Sequence, residues 1–163
     1  FFMKSWGEEE AIMKDQLEAL RVELTALAHA TEDPKKVKQA VEEVLPRHLR
    51  GVPNFNMEDL EGHYGNPIKL VKAVIEKREW ATACLRNLTE RLSTEARRMI
   101  VSALDTSLDA EGNLFLRLDK QAAFLGHLQL RQDDPIRLKI KLPRGSADFA
   151  TFKETVGRLL NPV

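Results

Sequence analysis

The stretch from Ile136 to Leu142 alternates without a break. Ile136, Leu138, Ile140 and Leu142 fall on one parity, Arg137, Lys139 and Lys141 on the other. Successive side chains of a strand point to opposite faces, so this period sorts apolar from cationic residues. Leu114, Leu116 and Leu118 alternate in the same way with Phe115 and Arg117. If both segments share a sheet, Phe115 and Arg117 join Arg137, Lys139 and Lys141 on its open face, with Arg144 just beyond. Cations around an exposed aromatic ring can hold phosphates and stack a base, as single-stranded RNA readers do. The plainer alternative is a solvated sheet face, on which long cations are common.

Charge is distributed to suit the first reading. The 163 residues include 25 basic and 25 acidic side chains. The zero total excludes a histone-like polycation but not a local patch. Residues 1–33 hold three basic and eight acidic side chains, and residues 113–144 hold seven and three. An acidic start and a basic stretch near the C-terminus cancel.

Other chemistry is harder to find. His29, His48, His63 and His127 are dispersed, without the paired spacing of a zinc site, and Cys84 is the sole cysteine. One cysteine makes no intramolecular disulfide, so a reducing compartment is expected. The glycines form no phosphate-cradling loop. Ser93, Ser102, Ser107 and Ser146 sit at helix caps or inside helices, and Asp133-Asp134-Pro135 reads as a turn. With no nucleophile–base pair legible, the chain is not expected to be an enzyme, and neither metal nor cofactor is expected. No apolar run approaches the length of a membrane span.

The elements that position these residues follow from periodicity and caps. Residues 8–19 favour helix, as an N-terminal extension to a single domain over 20–163. Leu20 to Ala30 alternates as a strand. Asp33-Pro34 starts a helix with Val37, Ala40, Val41, Val44 and Leu45 at helical spacing, and Pro46 closes it. Residues 54–61 and 68–78 read as strands of a hairpin, although helix competes for the second. Residues 79–87 read as helix. Ser93 or Thr94 caps the next helix, which carries Ala96, Met99, Ile100, Ala103 and Leu104. After the strand 114–118, Asp119 caps a short helical turn and Gly126 stops it. A short strand over 127–131 precedes the strand 136–142, and Ser146 caps a last helix. The order β-α-β-β-α-α-β-β-β-α predicts an α+β fold, with helices packed on one face of a mixed, mostly antiparallel sheet.

Three segments add a resemblance. They are His29-Ala30-Thr31-Glu32-Asp33, the run from Leu60 to Ile68 around Gly62-His63-Tyr64-Gly65-Asn66-Pro67, and the run from Glu111 to Gly126 around Leu118-Asp119-Lys120-Gln121-Ala122, followed by residues 134–141. Over residues 20–143 the chain resembles a family of small archaeal proteins described as predicted RNA-binding or exosome-associated proteins. The resemblance implies a fold like that of the ribosomal protein that docks the smallest RNA of the large subunit. It also implies an archaeal source, cytoplasmic location and RNA as partner, within an RNA-processing complex such as the exosome. It brings no catalytic residues. Within the matched segments, His63 and Tyr64 read either as part of a tight turn or as a loop tip that stacks on a base. Lys120 reads either as part of a capped helix start or as a phosphate contact. The competing function is a scaffold subunit without nucleic-acid contact, and a homodimer is compatible with both.

Overall fold

Val22, Leu24, Ala26 and Ala28 are buried, while the residues between them are partly exposed. This is the period-two strand β1 (Arg21–Ala28), and it occupies the centre of the sheet. The computed structural model describes residues 16–62 and 65–161. Of the helix expected over 8–19, residues 8–15 lie outside this range. Residues 16–19 are not helical. Ala19 is fully buried, and its backbone N–H and C=O both bond the Thr82 hydroxyl at 3.1 Å.

Asp33 caps α1 (Pro34–Val44), its Oδ1 accepting from the Lys35 N–H at 3.0 Å. Val37, Ala40, Val41 and Val44 form its buried stripe. A 3-10 turn at Arg47–Leu49 leads to the hairpin of β2 (Phe55–Glu61) and β3 (Pro67–Ile75). β2 is the outer strand and exposes Glu58, Asp59 and Glu61. α2 (Arg78–Arg91) buries Ala81, Cys84, Leu85 and Leu88. Ser93 caps α3 (Thr94–Ser102) by accepting from the Ala96 N–H at 3.0 Å. The helix expected to run on through Leu104 breaks at Ala103, and α4 (Leu104–Ser107) follows as a single turn. Met99 is 55% exposed because Ile100 and Leu104 hold the buried side.

β4 (Asn113–Leu118) runs into α5 (Lys120–Phe124), which Asp119 caps. The strand expected over 127–131 does not form. That segment makes a single bridge, Leu118 to Leu130, and two backbone bonds beside the end of β4. β4 turns into α5 there and leaves no ladder to extend. β5 (Ile136–Lys141) is followed by α6 (Phe149–Leu160). The cap of α6 is Asp148 rather than Ser146: the Asp148 Oδ1 accepts from the Thr151 N–H at 2.8 Å.

The strand order is β2-β3-β1-β5-β4, and every neighbouring pair is antiparallel. The α+β class holds, with a sheet that is antiparallel throughout rather than mixed. Six helices accompany it among the described residues. Ile136, Leu138 and Ile140 of β5 and Leu114, Leu116 and Leu118 of β4 continue the buried face of β1. Among the described residues no helix is long and apolar enough to cross a membrane.

The alternation of β5 sets up a sharp comparison of neighbours. Leu138→Ala is expected to lower stability by about 2–5 kcal/mol, the cost of emptying a core site. Lys139→Gln should stay within about 0.5 kcal/mol, as exposed substitutions do. Urea denaturation measures both, and equal costs would contradict this division of the strand.

Candidate nucleic-acid interface

Strand register places the open-face residues in rows. Arg117 of β4 lies opposite Arg137 of β5, Arg137 opposite Thr25 of β1, Thr25 opposite Lys72 of β3, and Lys72 opposite Asn56 of β2. The next row runs Phe115, Lys139, Glu23, Val74. The row beyond it runs Asn113, Lys141, Arg21. Neighbouring strands stand about 4.8 Å apart, so each row is a close series of side chains. Arg117, Arg137, Lys139 and Lys141 therefore share one face, as the alternation predicts. Phe115 lies among them and is 42% exposed.

Two pairs on this face set like charges directly opposite one another, Arg117 with Arg137 and Arg21 with Lys141. Such pairs destabilise a sheet. Two carboxylates offset part of the repulsion, Glu76 at 3.6 Å from Arg21 Nε and Glu23. Glu23 is the more engaged. It receives Lys72 Nζ at 2.8 Å and Arg21 Nη1 at 3.1 Å. The hydrogen bond from Lys72 is the main reason its carboxyl lies below the ordinary range. Arg117 donates to Gln132 Oε1 at 3.0 Å. Among the described residues Arg137, Lys139 and Lys141 form no ion pair and remain exposed.

Two of the expected contacts belong elsewhere. Arg144 donates to the backbone oxygens of Ala110 at 2.9 Å and Ala147 at 2.7 Å, and its guanidinium lies 4.6 Å from the centre of the Phe152 ring. It ties the loop after β5 to α6 rather than extending the cationic face. Lys120 is only 8% exposed. Its Nζ meets the Leu27 carbonyl at 2.8 Å, Glu32 Oε1 at 3.0 Å and Asp134 Oδ2 at 2.8 Å. An ammonium with three donors and three acceptors has none left for a phosphate. His63 and Tyr64 lie outside the described residues. On either side of them, the Gly62 N–H donates to the Asn66 carbonyl at 2.8 Å.

Lys120 is the centre of a second polar group. His29 Nε2 lies 2.9 Å from Asp134 Oδ1. The donor atoms of His29, Glu32 and Asp134 all fall within 4.8 Å of one another, a spacing that suits a cation. Lys120 supplies that positive charge itself. Elsewhere, burial pushes the Cys84 thiol up to about 12, so it is no thiolate nucleophile near neutrality.

Comparisons with known proteins give the family. The profile of a family described as RNA binding matches residues 21–142. The chain belongs to this RNA-binding family. A Pyrococcus abyssi relative named RNA-binding protein PAB1135 is 33% identical over 132 residues, covering 80% of this chain and 86% of its own. The crystal structure of protein AF2318 from Archaeoglobus fulgidus, of the DUF54 family, matches with TM-score 0.74 and 30% identity, over 86% of this chain and 99% of that one. Mth689, a DUF54 protein from Methanothermobacter thermautotrophicus, matches with TM-score 0.70 and 32% identity, over 88% and 98%.

Within this member of the RNA-binding family, sequence reasoning missed Arg21 and Lys72 on the open face. The signal for Arg21 was present, since it shares the outward parity of β1. Lys72 needed the register of β3. The Lys120 cluster carried no such signal, because its partners lie 88 and 105 residues apart in pairs that no local pattern marks.

Burial alone would raise the Asp134 carboxyl, but bonds from Lys120 and His29 outweigh it and hold the group below the ordinary range. That stabilisation is complete above the unfolded value of about 3.9 and fades as pH falls through the lowered folded value. Lys120→Met should cost about 2–3 kcal/mol near neutrality. This is less than the loss of a fully buried pair, because Glu32 and Asp134 remain partly hydrated. The cost should shrink as pH drops below about 4. Thermal unfolding across pH measures this, and RNA affinity should stay unchanged while the variant is folded.

Proposed function

We propose that this chain is a non-enzymatic RNA-binding protein that takes single-stranded RNA on the open face of its sheet. The observation that carries the reading is the pair of like-charge cross-strand contacts, beside an exposed Phe115 and Arg137, Lys139 and Lys141, which form no ion pair among the described residues. A surface that served only for solubility would interleave signs across the strands. Phosphates placed between opposed cations relieve their repulsion, and a base can stack on the ring. The relatives' names support RNA as the ligand and mention no exosome, so the reading stops at RNA. A protein-contacting role rests on a different observation, the exposure of Phe124 and of Leu125, which is 71% exposed, at the end of α5.

Affinity for a short unstructured RNA should fall steeply with salt, by about 0.7 log units per log unit of salt for each phosphate contact. The triple change Arg137→Gln, Lys139→Gln, Lys141→Gln should weaken binding and flatten that slope, with the thermal transition retained. Fluorescence anisotropy at several salt concentrations measures this. Unchanged binding would leave the protein-contacting role in front.

Phe115→Ala separates stacking from packing. The ring's exposure favours a loss of about 1–3 kcal/mol in binding. A loss of about 3–5 kcal/mol in stability is the mark of a core ring. Anisotropy and urea denaturation of the same variant distinguish the two.

A further inference from the structure

A cleft of about 550 Å³ opens where β2 begins and β3 runs on past it toward α2. Trp80, half-buried in the first turn of α2, forms one wall, and Asn54 and Asn56 form another. Both amides are exposed and make no hydrogen bond among the described residues. Each offers donors and an acceptor. The charged residues around the cleft balance. Lys72 is held by Glu23, and Lys77 lies 4.8 Å over the Trp80 ring. Glu58 and Glu76 also line the cleft and disfavour a phosphate inside it. An aromatic wall, two amides unpartnered among the described residues, and two lysines matched in number by two glutamates suit a flat, uncharged, hydrogen-bonding group. Lys72 and Asn56 also end the row that begins at Arg117 and Arg137, so the cleft continues the open face.

We infer that this cleft holds one unstacked nucleobase of the bound strand, against Trp80 and hydrogen-bonded by Asn54 and Asn56. The inference rests on the reading of the open face as an RNA surface. It assigns the phosphates to the β4–β5 end of the sheet and a base to the β2–β3 end.

Trp6 and Trp80 are the two tryptophans, so Trp6→Phe leaves Trp80 as the single indole reporter. Adenosine and uridine monophosphates, titrated into this protein, should change its fluorescence saturably. Ribose 5-phosphate, which lacks the base, should not. The double change Asn54→Ala, Asn56→Ala should raise the half-saturating concentration about tenfold, as expected when amide contacts to a base edge are lost. The Arg137→Gln, Lys139→Gln, Lys141→Gln protein should keep the nucleotide response while losing affinity for RNA. A silent Trp80, an equal response to ribose 5-phosphate, or indifference to the double change overturns the inference. If RNA still binds and the triple change weakens it, the open-face reading survives that result. If nucleotides bind and RNA does not, the open-face reading falls and the cleft stands as a nucleotide site.

Discussion

A strand buried on one face has no freedom of register. Moving β5 by one residue would put Lys139 where Leu138 sits in the core and turn Leu138 to water, and the same exchange would run along the whole strand. β1, with Val22 and Leu24 buried on the same side, locks β5 from one flank, and β4, with Leu114 and Leu116, locks it from the other. The positions of the open-face cations are thus a by-product of packing the opposite face. Arg137, Lys139 and Lys141 need no contacts of their own to be held in line, and among the described residues their heads form no ion pair.

The Lys120 cluster performs a different task at the end of the sheet. Its ammonium joins the end of β1 through Leu27, the approach to α1 through Glu32 and the approach to β5 through Asp134. These segments meet where β4 gives way to α5. A hydrophobic side chain at Lys120 would fill the volume but satisfy none of these acceptors. Asp134 takes a positive φ of 45° here, a conformation that aspartate tolerates better than most residues. The turn that reads as simple punctuation in the sequence is therefore also one side of an ionic junction.

Much of the sheet was legible because period two survives in a single chain. β1, β4 and β5 show it plainly, and so the sharing of a face by Arg117, Arg137, Lys139 and Lys141 could be anticipated. The helix caps were legible where the side chain sits immediately before the helix, as Asp33, Ser93 and Asp119 do. They misled at α6, where Ser146 and Asp148 compete and the carboxylate takes the N-terminus. The segment 127–131 has the composition of a strand but lacks a partner, and no local pattern reports a missing partner. Arg144 and Lys120 look like their exposed neighbours in sequence. What separates them is the position of carbonyls and carboxylates far away along the chain, which only the folded structure supplies.

The outer strand β2 carries Glu58, Asp59 and Glu61 with no cation, and β5 carries three cations with no acid. In a chain with no net charge, opposite charge thus sits on the two sides of β1, although Lys69 of β3 pairs with Asp59 at 2.9 Å. A polyanion at a distance exerts little net pull on such a molecule, but it does exert a torque. As the two approach within about 10 Å, the screening distance at moderate salt, that torque turns the β5 side forward and the acidic edge away. Neutrality here limits attraction to any polyanion in bulk while preserving a preferred orientation on encounter.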